Sequence, residues 1–399
     1  MSTVESPPAV LRQDPPATAF DMSLVQRGAR LRRTPFFAAT QRYGAKAYTV
    51  YNHMLFPVRY ADFEEEYWHL VNHVTLWDVS VERQVEITGP DAFVLADRLT
   101  PRDLGRCAVG QGKYVAVTAH DGGVINDPVL LRLGVDHFWL ALADSDVLLW
   151  ARAVAEAAGL RVEVREPDVS PLQVQGPGAK EVVRALFGEQ VVGLRYYWFV
   201  ETALDGIPVV VTRTGWTGEV GYEIYLRDGS RGDELWERIM EAGRPYAIRP
   251  TGPSDIRRIE AGILNWGADI TLEDNVYQVG LERLVDEGKG TNYIGREALA
   301  RIRREGVARK LAGIEIAGDP LDLNAEKWPV RAGGREQVGR VTSAVWSPRL
   351  RKNIGYAMVP VAQAAPGSTL TVEIGGGEQR PATVVAMPFV DPGKEIPKG

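Results

Sequence analysis

Cysteine is almost absent from this 399-residue chain, which has a single residue of that type, Cys107. One cysteine excludes a framework of intrachain disulfides. It also suits a reducing compartment, so a cytoplasmic location is expected. Cys107 lies in no reactive motif and is interpreted as a packed thiol rather than a nucleophile.

Long apolar runs are missing as well, and so is an excess of positive charge. No stretch approaches the roughly 20 apolar residues of a membrane-spanning helix, and the N-terminus lacks the apolar core of a signal peptide. The formal net charge of −6 argues against nucleic acid or an anionic membrane as the main partner. A local cationic patch for an anionic small molecule stays compatible with this charge.

Several catalytic and metal-binding motifs cannot be found. The chain has no nucleophile elbow, no P-loop, no C-x-x-C and no Rossmann glycine fingerprint. His69 and His73 have the i,i+4 spacing of zinc ligands, but the Glu of H-E-x-x-H is missing. They are interpreted as polar residues on a helix surface, and no metal is predicted.

The chain length suggests two or three domains. Residues 1–33 are rich in Pro, Ser and Ala and predict a flexible N-terminal arm. Residues 34–305 mix short strands irregularly with helices, which is an α+β pattern. Within this part, residues 113–119, 124–133 and 137–143 predict three consecutive antiparallel strands.

Residues 306–399 have a different pattern, with short strands between turn signals and no long helix. This pattern predicts a C-terminal all-β barrel or sandwich. The predicted strands cover residues 311–316, 338–345, 354–359, 370–374 and 382–386.

The stretch of residues 213–224, RTGWTGEVGYEI, is the most informative in the chain. Its glycines permit positive φ or a close approach of the backbone to a ligand. Trp216 at the loop tip and Glu223 on the return strand suggest a flat ligand that forms hydrogen bonds. A plain glycine-rich hairpin with a core Glu is an equally good interpretation of these residues alone.

This stretch resembles the R-T-G-Y-T-G-E-x-G-[FY]-E-[IL] signature of the glycine cleavage T-protein family. Further blocks resemble the family in the same order, and the resemblance spans roughly residues 34–390. These blocks are residues 76–80, 84–92, 121–127, 172–177, 258–262, 294–299 and 339–355. The resemblance implies a three-domain cloverleaf, with two interleaved α+β folate-binding subdomains and a C-terminal all-β barrel, and tetrahydrofolate as cofactor.

One branch of the family is more similar than the rest. Residues 47–54, 82–86, 125–131 and 166–172 resemble the dimethylsulfoniopropionate demethylases, which move a methyl group from a sulfonium to tetrahydrofolate. Trp216, Ala141 and Trp266 depart from the residue types expected there. These departures leave the methyl donor less certain than the cofactor.

Asp127 is the candidate catalytic residue. It interrupts an apolar strand-like run, and a buried carboxylate there needs a partner. It matches the family's Asp beside the reactive folate nitrogen. The alternative is a turn residue at a strand edge.

The remaining candidates would bind cofactor or donor. Glu223 can accept the N–H groups of the pterin edge, and Arg258 either contacts the ligand or pairs with Asp255. The candidate cofactor-binding residues are Tyr114, Tyr197, Glu223, Arg258 and Trp346. The candidate substrate-binding residues, which could surround a sulfonium or ammonium group by cation–π attraction, are Tyr51, Trp216 and Tyr225.

The leading hypothesis is therefore a tetrahydrofolate-dependent demethylase that moves a methyl group from a sulfonium or other methylated small molecule to N5 of tetrahydrofolate. An aminomethyltransferase that uses a lipoyl carrier protein is one alternative, and an aryl methyl ether demethylase is another. A folate-binding protein without turnover is disfavoured because Asp127 is retained. A homodimer is compatible with the sequence, which does not determine the oligomeric state.

Overall fold

The computed structural model describes Gly28, residues 30–334 and residues 336–399. Nearly all of the predicted arm, residues 1–33, lies outside the described residues. Within the described ranges, no helix is long and apolar enough to cross a membrane.

The helices and strands follow the mixed order expected of an α+β protein. The α-helices are α1 (Phe37–Arg42), α2 (Phe63–Asn72), α3 (Ala92–Arg98), α4 (Val147–Ala157), α5 (Ala179–Phe187), α6 (Glu189–Val192), α7 (Gly232–Gly243), α8 (Asp255–Glu260) and α9 (Arg296–Glu305). The strands up to α8 are β1 (Ala47–Tyr51), β2 (Met54–Arg59), β3 (Thr75–Asp78), β4 (Gln84–Thr88), β5 (Gln111–Tyr114), β6 (Val117–Thr118), β7 (Val124–Asn126), β8 (Val129–Arg132), β9 (His137–Ala141), β10 (Glu163–Arg165), β11 (Ser170–Gln175), β12 (Phe199–Leu204), β13 (Ile207–Thr212), β14 (Gly221–Leu226) and β15 (Arg249–Pro250).

Two sheets interleave along the chain. The order of the six-stranded sheet is β12-β13-β14-β11-β3-β15, and that of the five-stranded sheet is β10-β4-β9-β8-β5. The chain leaves the six-stranded sheet after β3, builds the five-stranded sheet, and returns at β11. Each sheet has its own apolar core, the first including Trp236 of α7 and the second including Leu95 of α3 and Val147 of α4. This arrangement confirms the two interleaved α+β subdomains.

The predicted meander has the correct strand order, because β5, β8 and β9 are antiparallel neighbours. Its strands are shorter than predicted. Tyr114 ends β5, and the 124–133 run is broken into β7 and β8 at Asp127 and Pro128. Proline lacks the backbone N–H that would continue the ladder, so a break at Pro128 follows from its chemistry.

A closed barrel forms the C-terminal part, with strand order β16-β19-β18-β17-β20-β21. Its strands are β16 (Arg309–Ile316), β17 (Trp328–Arg331), β18 (Gln337–Ser347), β19 (Lys352–Pro360), β20 (Thr369–Glu373) and β21 (Gln379–Val385). Strand β17 was not predicted from the sequence, because Pro329 in a four-residue run weakens the strand signal. The predicted boundary at residue 306 falls between α9 and β16.

The structure shows the environments of Cys107 and His69. Cys107 is a buried free thiol. His69 is only 8% exposed, with Nε2 2.8 Å from the carbonyl oxygen of Ala247, so its interpretation as a surface residue was wrong. Among the described residues, no group of three His, Cys, Asp or Glu side chains could hold a metal ion.

Candidate active site

A cavity of about 360 Å³ lies where both sheets, the β1–β2 hairpin, the segment after α8 and the C-terminal residues meet. Most of the candidate site residues line it. These residues are Tyr51, Tyr114, Asp127, Tyr197, Trp216 and Glu223. Side chains from distant parts of the sequence therefore converge on one space.

Asp127 lies at the break between β7 and β8 rather than within a strand. The hydroxyl group of Tyr114 donates a hydrogen bond to Oδ2 of Asp127 at 2.7 Å. Burial raises the pKa of Asp127, and the hydrogen bond from Tyr114 offsets part of this rise, so the resulting pKa is about 7. A carboxyl group of this kind can exchange a proton near neutral pH.

Asn126 holds the chain in place beside Asp127. Its Nδ2 donates to the carbonyl oxygen of Ala143 at 3.0 Å and to Oγ of Ser145 at 2.7 Å. Its Oδ1 accepts the backbone N–H of Ala143 at 3.1 Å. Asn126 thus ties the Asp127 segment to the chain that follows β9.

Glu223 lies in a cross-strand row, with Gln173 of β11 on one side and Thr212 of β13 on the other. It is 4% exposed and accepts hydrogen bonds from Gln173 at 2.8 Å, Thr214 at 2.7 Å and Tyr225 at 2.7 Å. Burial raises the pKa of Glu223, and these donors act in the opposite direction. The carboxylate is therefore held in a fixed orientation at the cavity wall.

Tyr225 does not line the cavity, in contrast to its predicted place in the substrate cage. It is fully buried, and its hydroxyl group donates a hydrogen bond to Glu223. Residues i and i+2 of a strand lie on the same face. Tyr225 therefore lies beside Glu223 on β14, where its hydroxyl group holds the Glu223 carboxylate in place.

The glycines of the signature loop leave room for neighbouring protein side chains. A Cβ atom at Gly215 or Gly221 would lie within 2.2 Å or 2.1 Å of the Gln175 side chain. Gly218 has φ +69°, a conformation that favours glycine. Next to it, Nε of Arg257 donates to Oε1 of Glu219 at 2.7 Å and fixes the loop to α8.

The aromatic walls come from three separate elements. Tyr51 precedes a tight turn in which Asn52 and His53 both have positive φ, at 47° and 64°. Tyr197 has φ +64°, which is uncommon for a bulky residue and is held by the surrounding structure. Trp216 packs against the apolar cluster around Leu70, Trp77 and Val79.

The guanidinium of Arg258 is bound by other protein side chains and does not face the cavity. Its guanidinium donates to Asp255 and Asp269, each at 2.7 Å, and to Oγ of Ser343 at 2.9 Å. Its Cζ lies 5.6 Å from the centroid of the Trp216 ring. Arg258 therefore joins α8 to the barrel and does not line the cavity.

Trp346 also lies outside the cavity lining. It is on barrel strand β18, where its backbone N–H donates to the carbonyl oxygen of Leu321. The geometry gives no support to Trp346 as a wall of the cavity.

Several lining residues were not assigned a role from the sequence. Glu82 is the first residue of the 82–86 block, where it is one charge among several, and nothing in its local pattern marks it as a cavity residue. Arg283 and Lys394 lie far apart in sequence, and both reach the cavity with exposed side chains. Although Lys394 is exposed as a residue, partial removal of its ammonium group from water and the nearby charge of Arg283 lower its pKa.

The fold and the cavity define a three-lobed protein with a central site for a small ligand. Residues 36–289 match the family described as GCVT N-terminal domain, and residues 309–391 match the glycine cleavage T-protein C-terminal barrel domain. The chain belongs to the glycine cleavage T-protein family, as the resemblance implied.

Two named proteins illustrate the range of its relatives. The chain is 41% identical over 363 residues to the dimethylsulfoniopropionate demethylase DmdA of Ruegeria pomeroyi, covering 91% of this chain and 98% of that protein. It is 33% identical over 351 residues to an aminomethyltransferase of Desulfitobacterium hafniense, covering 87% and 94%.

A solved structure confirms the fold. The crystal structure of the glycine cleavage system aminomethyltransferase T from Bartonella henselae aligns with a TM-score of 0.81, at 23% identity, over 90% of this chain and 98% of that one. The cloverleaf prediction is therefore confirmed. The family assignment also confirms that the chain is a one-carbon transferase that uses tetrahydrofolate.

Proposed function

We propose that this enzyme demethylates a small methylated compound, with a sulfonium of the dimethylsulfoniopropionate kind as the leading donor, and gives 5-methyltetrahydrofolate. The observation that carries the proposal is the position of Asp127. Its carboxyl group, with a pKa of about 7, lies in the same cavity as the buried carboxylate of Glu223.

The cavity residues fit a folate in chemical terms. Glu223 can accept N–H groups of a pterin edge, and its fixed orientation favours a paired contact. Tyr114 and Tyr197 offer aromatic walls for a flat ring. Arg283 and Lys394 offer positive charge for carboxylates at the exposed part of the cavity.

Tetrahydrofolate supplies N5 as the methyl acceptor. When the methyl group leaves a sulfonium, the C–S bond breaks and its electron pair stays on sulfur as a neutral thioether. A new C–N bond forms at N5, and the N5 proton must then be removed. Asp127 suits this proton transfer, and Tyr114 holds its carboxyl group in place.

The nature of the donor decides how much the protein must contribute. A sulfonium has a good leaving group, so alignment of donor, methyl and acceptor carries most of the catalysis. An amine or an aryl ether leaves less readily and needs a proton donor. The neutral form of Asp127, present below about pH 7, could serve that role.

An aminomethyltransferase activity is the second candidate, since a relative with that name is 33% identical. It requires a lipoyl carrier protein and yields 5,10-methylenetetrahydrofolate. The aryl ether demethylase is the third, because Trp216 could equally stack on an aryl ring. Cytoplasmic location and a homodimer remain predictions.

One assay separates these activities. Purified enzyme and tetrahydrofolate are incubated with sulfonium, betaine and methoxyaryl donors, and in a separate arm with an aminomethylated lipoyl carrier protein. Chromatography then measures 5-methyltetrahydrofolate and 5,10-methylenetetrahydrofolate. We expect the methyl product with a sulfonium donor and its loss in Asp127→Asn. Formation of the methylene product from the carrier arm alone would refute the demethylase proposal.

A further inference from the structure

We propose that Glu82 determines donor specificity, because its unpaired carboxylate in the aromatic cavity selects a methyl donor that carries a positive charge. This inference rests on the proposed demethylase function and adds the residue that recognises the onium group.

Glu82 differs from the other carboxylates that line the cavity. Asp127 accepts a hydrogen bond from Tyr114, Glu223 has three close donors, Asp255 pairs with Arg258, and Asp391 accepts backbone N–H groups of residues 395 and 396. Within the part of the chain that the structure describes, the Glu82 carboxylate has neither a hydrogen bond nor an ion pair.

The main chain of Glu82 is nevertheless firmly held. Its N–H donates to the carbonyl oxygen of Val79 at 2.9 Å, and its own carbonyl oxygen accepts from Gln84 Nε2 at 2.6 Å. The preceding carbonyl, of Val81, accepts from Nδ2 of Asn52 at 2.9 Å. The side chain is therefore presented to the cavity by a fixed backbone and not by a loose loop.

The surroundings of Glu82 are acidic and aromatic. Burial, followed by the nearby charges of Glu223 and Asp127, raises the pKa of Glu82 well above the usual range, so its neutral form is favoured while no cation is present. The charge of Glu82 in turn contributes to the raised pKa of Tyr51 and of Tyr225. The ring centroids of Tyr51 and Phe56 lie 5.9 Å apart on the same wall.

Ionisation of the half-buried Glu82 carboxyl group without a counter-ion is unfavourable. A neutral ligand would leave Glu82 without a counter-ion, so its protonated form would stay favoured. A cation would favour the carboxylate form of Glu82, and would also gain from the aromatic faces nearby. A sulfonium or quaternary ammonium has no N–H to donate, so it suits a carboxylate that offers charge without a directed hydrogen bond.

The test compares a matched pair of ligands that differ in charge alone. Choline and its neutral isostere 3,3-dimethylbutan-1-ol are titrated by calorimetry into the wild-type protein, Glu82→Gln and Glu273→Gln. Glu273 is exposed and does not line the cavity, so Glu273→Gln makes the same chemical change outside the site. Tetrahydrofolate is titrated separately into the wild type and into Glu82→Gln.

We expect the wild type to bind choline about tenfold or more tightly than the isostere, because the charge is attracted at low local dielectric. Glu82→Gln should lose this preference, whereas Glu273→Gln should keep it. Thermal denaturation confirms that each variant folds. A wild type without preference, or a preference retained in Glu82→Gln, overturns the inference.

Failure of the proposed function has a different signature. If the wild type does not bind tetrahydrofolate, the proposed demethylase is refuted whatever choline does. If Glu82→Gln weakens tetrahydrofolate binding and leaves the choline preference intact, Glu82 contacts the pterin, and the specificity role is refuted while the demethylase stands.

Discussion

Replacement of Asp127 by Asn provides the sharpest test of the catalytic assignment. The change removes the negative charge and the exchangeable proton while keeping the shape of the side chain, and Oδ1 can still accept from Tyr114. We expect kcat to fall by about 10²–10⁴-fold, the usual contribution of a positioned acid or base. Folate affinity should change far less, because the assigned role belongs to the transition state.

The pH dependence of kcat/KM and of the free energy of unfolding tests the same residue independently. Burial raises the pKa of Asp127 from its ordinary 3.8 to about 7. The proposed removal of the N5 proton requires the carboxylate form, so kcat/KM should rise between pH 6 and 8. The same shift means that the folded protein holds this proton more tightly than the unfolded chain. Its stabilising contribution is therefore complete below about pH 4 and is lost as the pH rises through about 7.

The size of that loss can be bounded. At 1.36 kcal/mol per pKa unit, the interval between the two pKa values sets an upper limit of about 4 kcal/mol. Asp127 is half-buried and faces the cavity, so solvent screening should reduce the loss to about 2 kcal/mol. In Asp127→Asn the free energy of unfolding should no longer decrease across this pH range by that amount.

The assays are steady-state kinetics with a sulfonium donor and urea unfolding, each measured from pH 4 to 8 for both proteins. Full activity of Asp127→Asn would remove Asp127 from the mechanism. An inflection near pH 7 that persists in the variant would assign the titration to another group.

Further predictions concern the cofactor, the donor and the fold. Glu223→Ala should weaken tetrahydrofolate binding by about 1.5–3 kcal/mol in calorimetry, and unchanged affinity in a folded variant would exclude its role. Trp216→Leu should weaken binding of a non-reactive onium by about 0.5–2 kcal/mol, and an equal loss for a neutral isostere would favour an aryl donor. Arg258→Met should lower the free energy of urea unfolding by about 3–5 kcal/mol, because Asp269 would stay buried without its cationic partner. Loss of folate affinity without loss of stability would instead restore Arg258 as a ligand contact.

Local sequence was sufficient for part of the site. Strand alternation places Glu223 and Tyr225 on one face of β14, and the signature loop indicates where the carboxylate lies. These features depend on neighbours along the chain, so period and turn chemistry can predict them. The break at Pro128 is also a local feature, but an unbroken strand over residues 124–133 was predicted, so Asp127 was expected within a strand. The order of family blocks likewise implied the cloverleaf.

Only the tertiary structure decided which polar groups find partners. Arg258 pairs with Asp255 on its own helix, as its spacing allowed, but also with Asp269 and with Ser343 of the barrel. Those long-range contacts turn a candidate ligand residue into a link between lobes. Trp346 lies away from the cavity for a similar reason, since the direction of a barrel strand is set by closure of the whole sheet.

The lack of a partner for Glu82 could not be predicted from the sequence either. In the sequence it is one charge in the run of residues 82–86, where Arg83 pairs with Glu166 and Glu86 lies against His137. Whether a charge is paired depends on which distant elements pack around it, because burial and dielectric are properties of the assembled structure. The sequence therefore determined the family, most strands of the barrel and the carboxylate of the signature loop. Among the described residues, only the folded structure decided which carboxylate of the cavity is left without a partner.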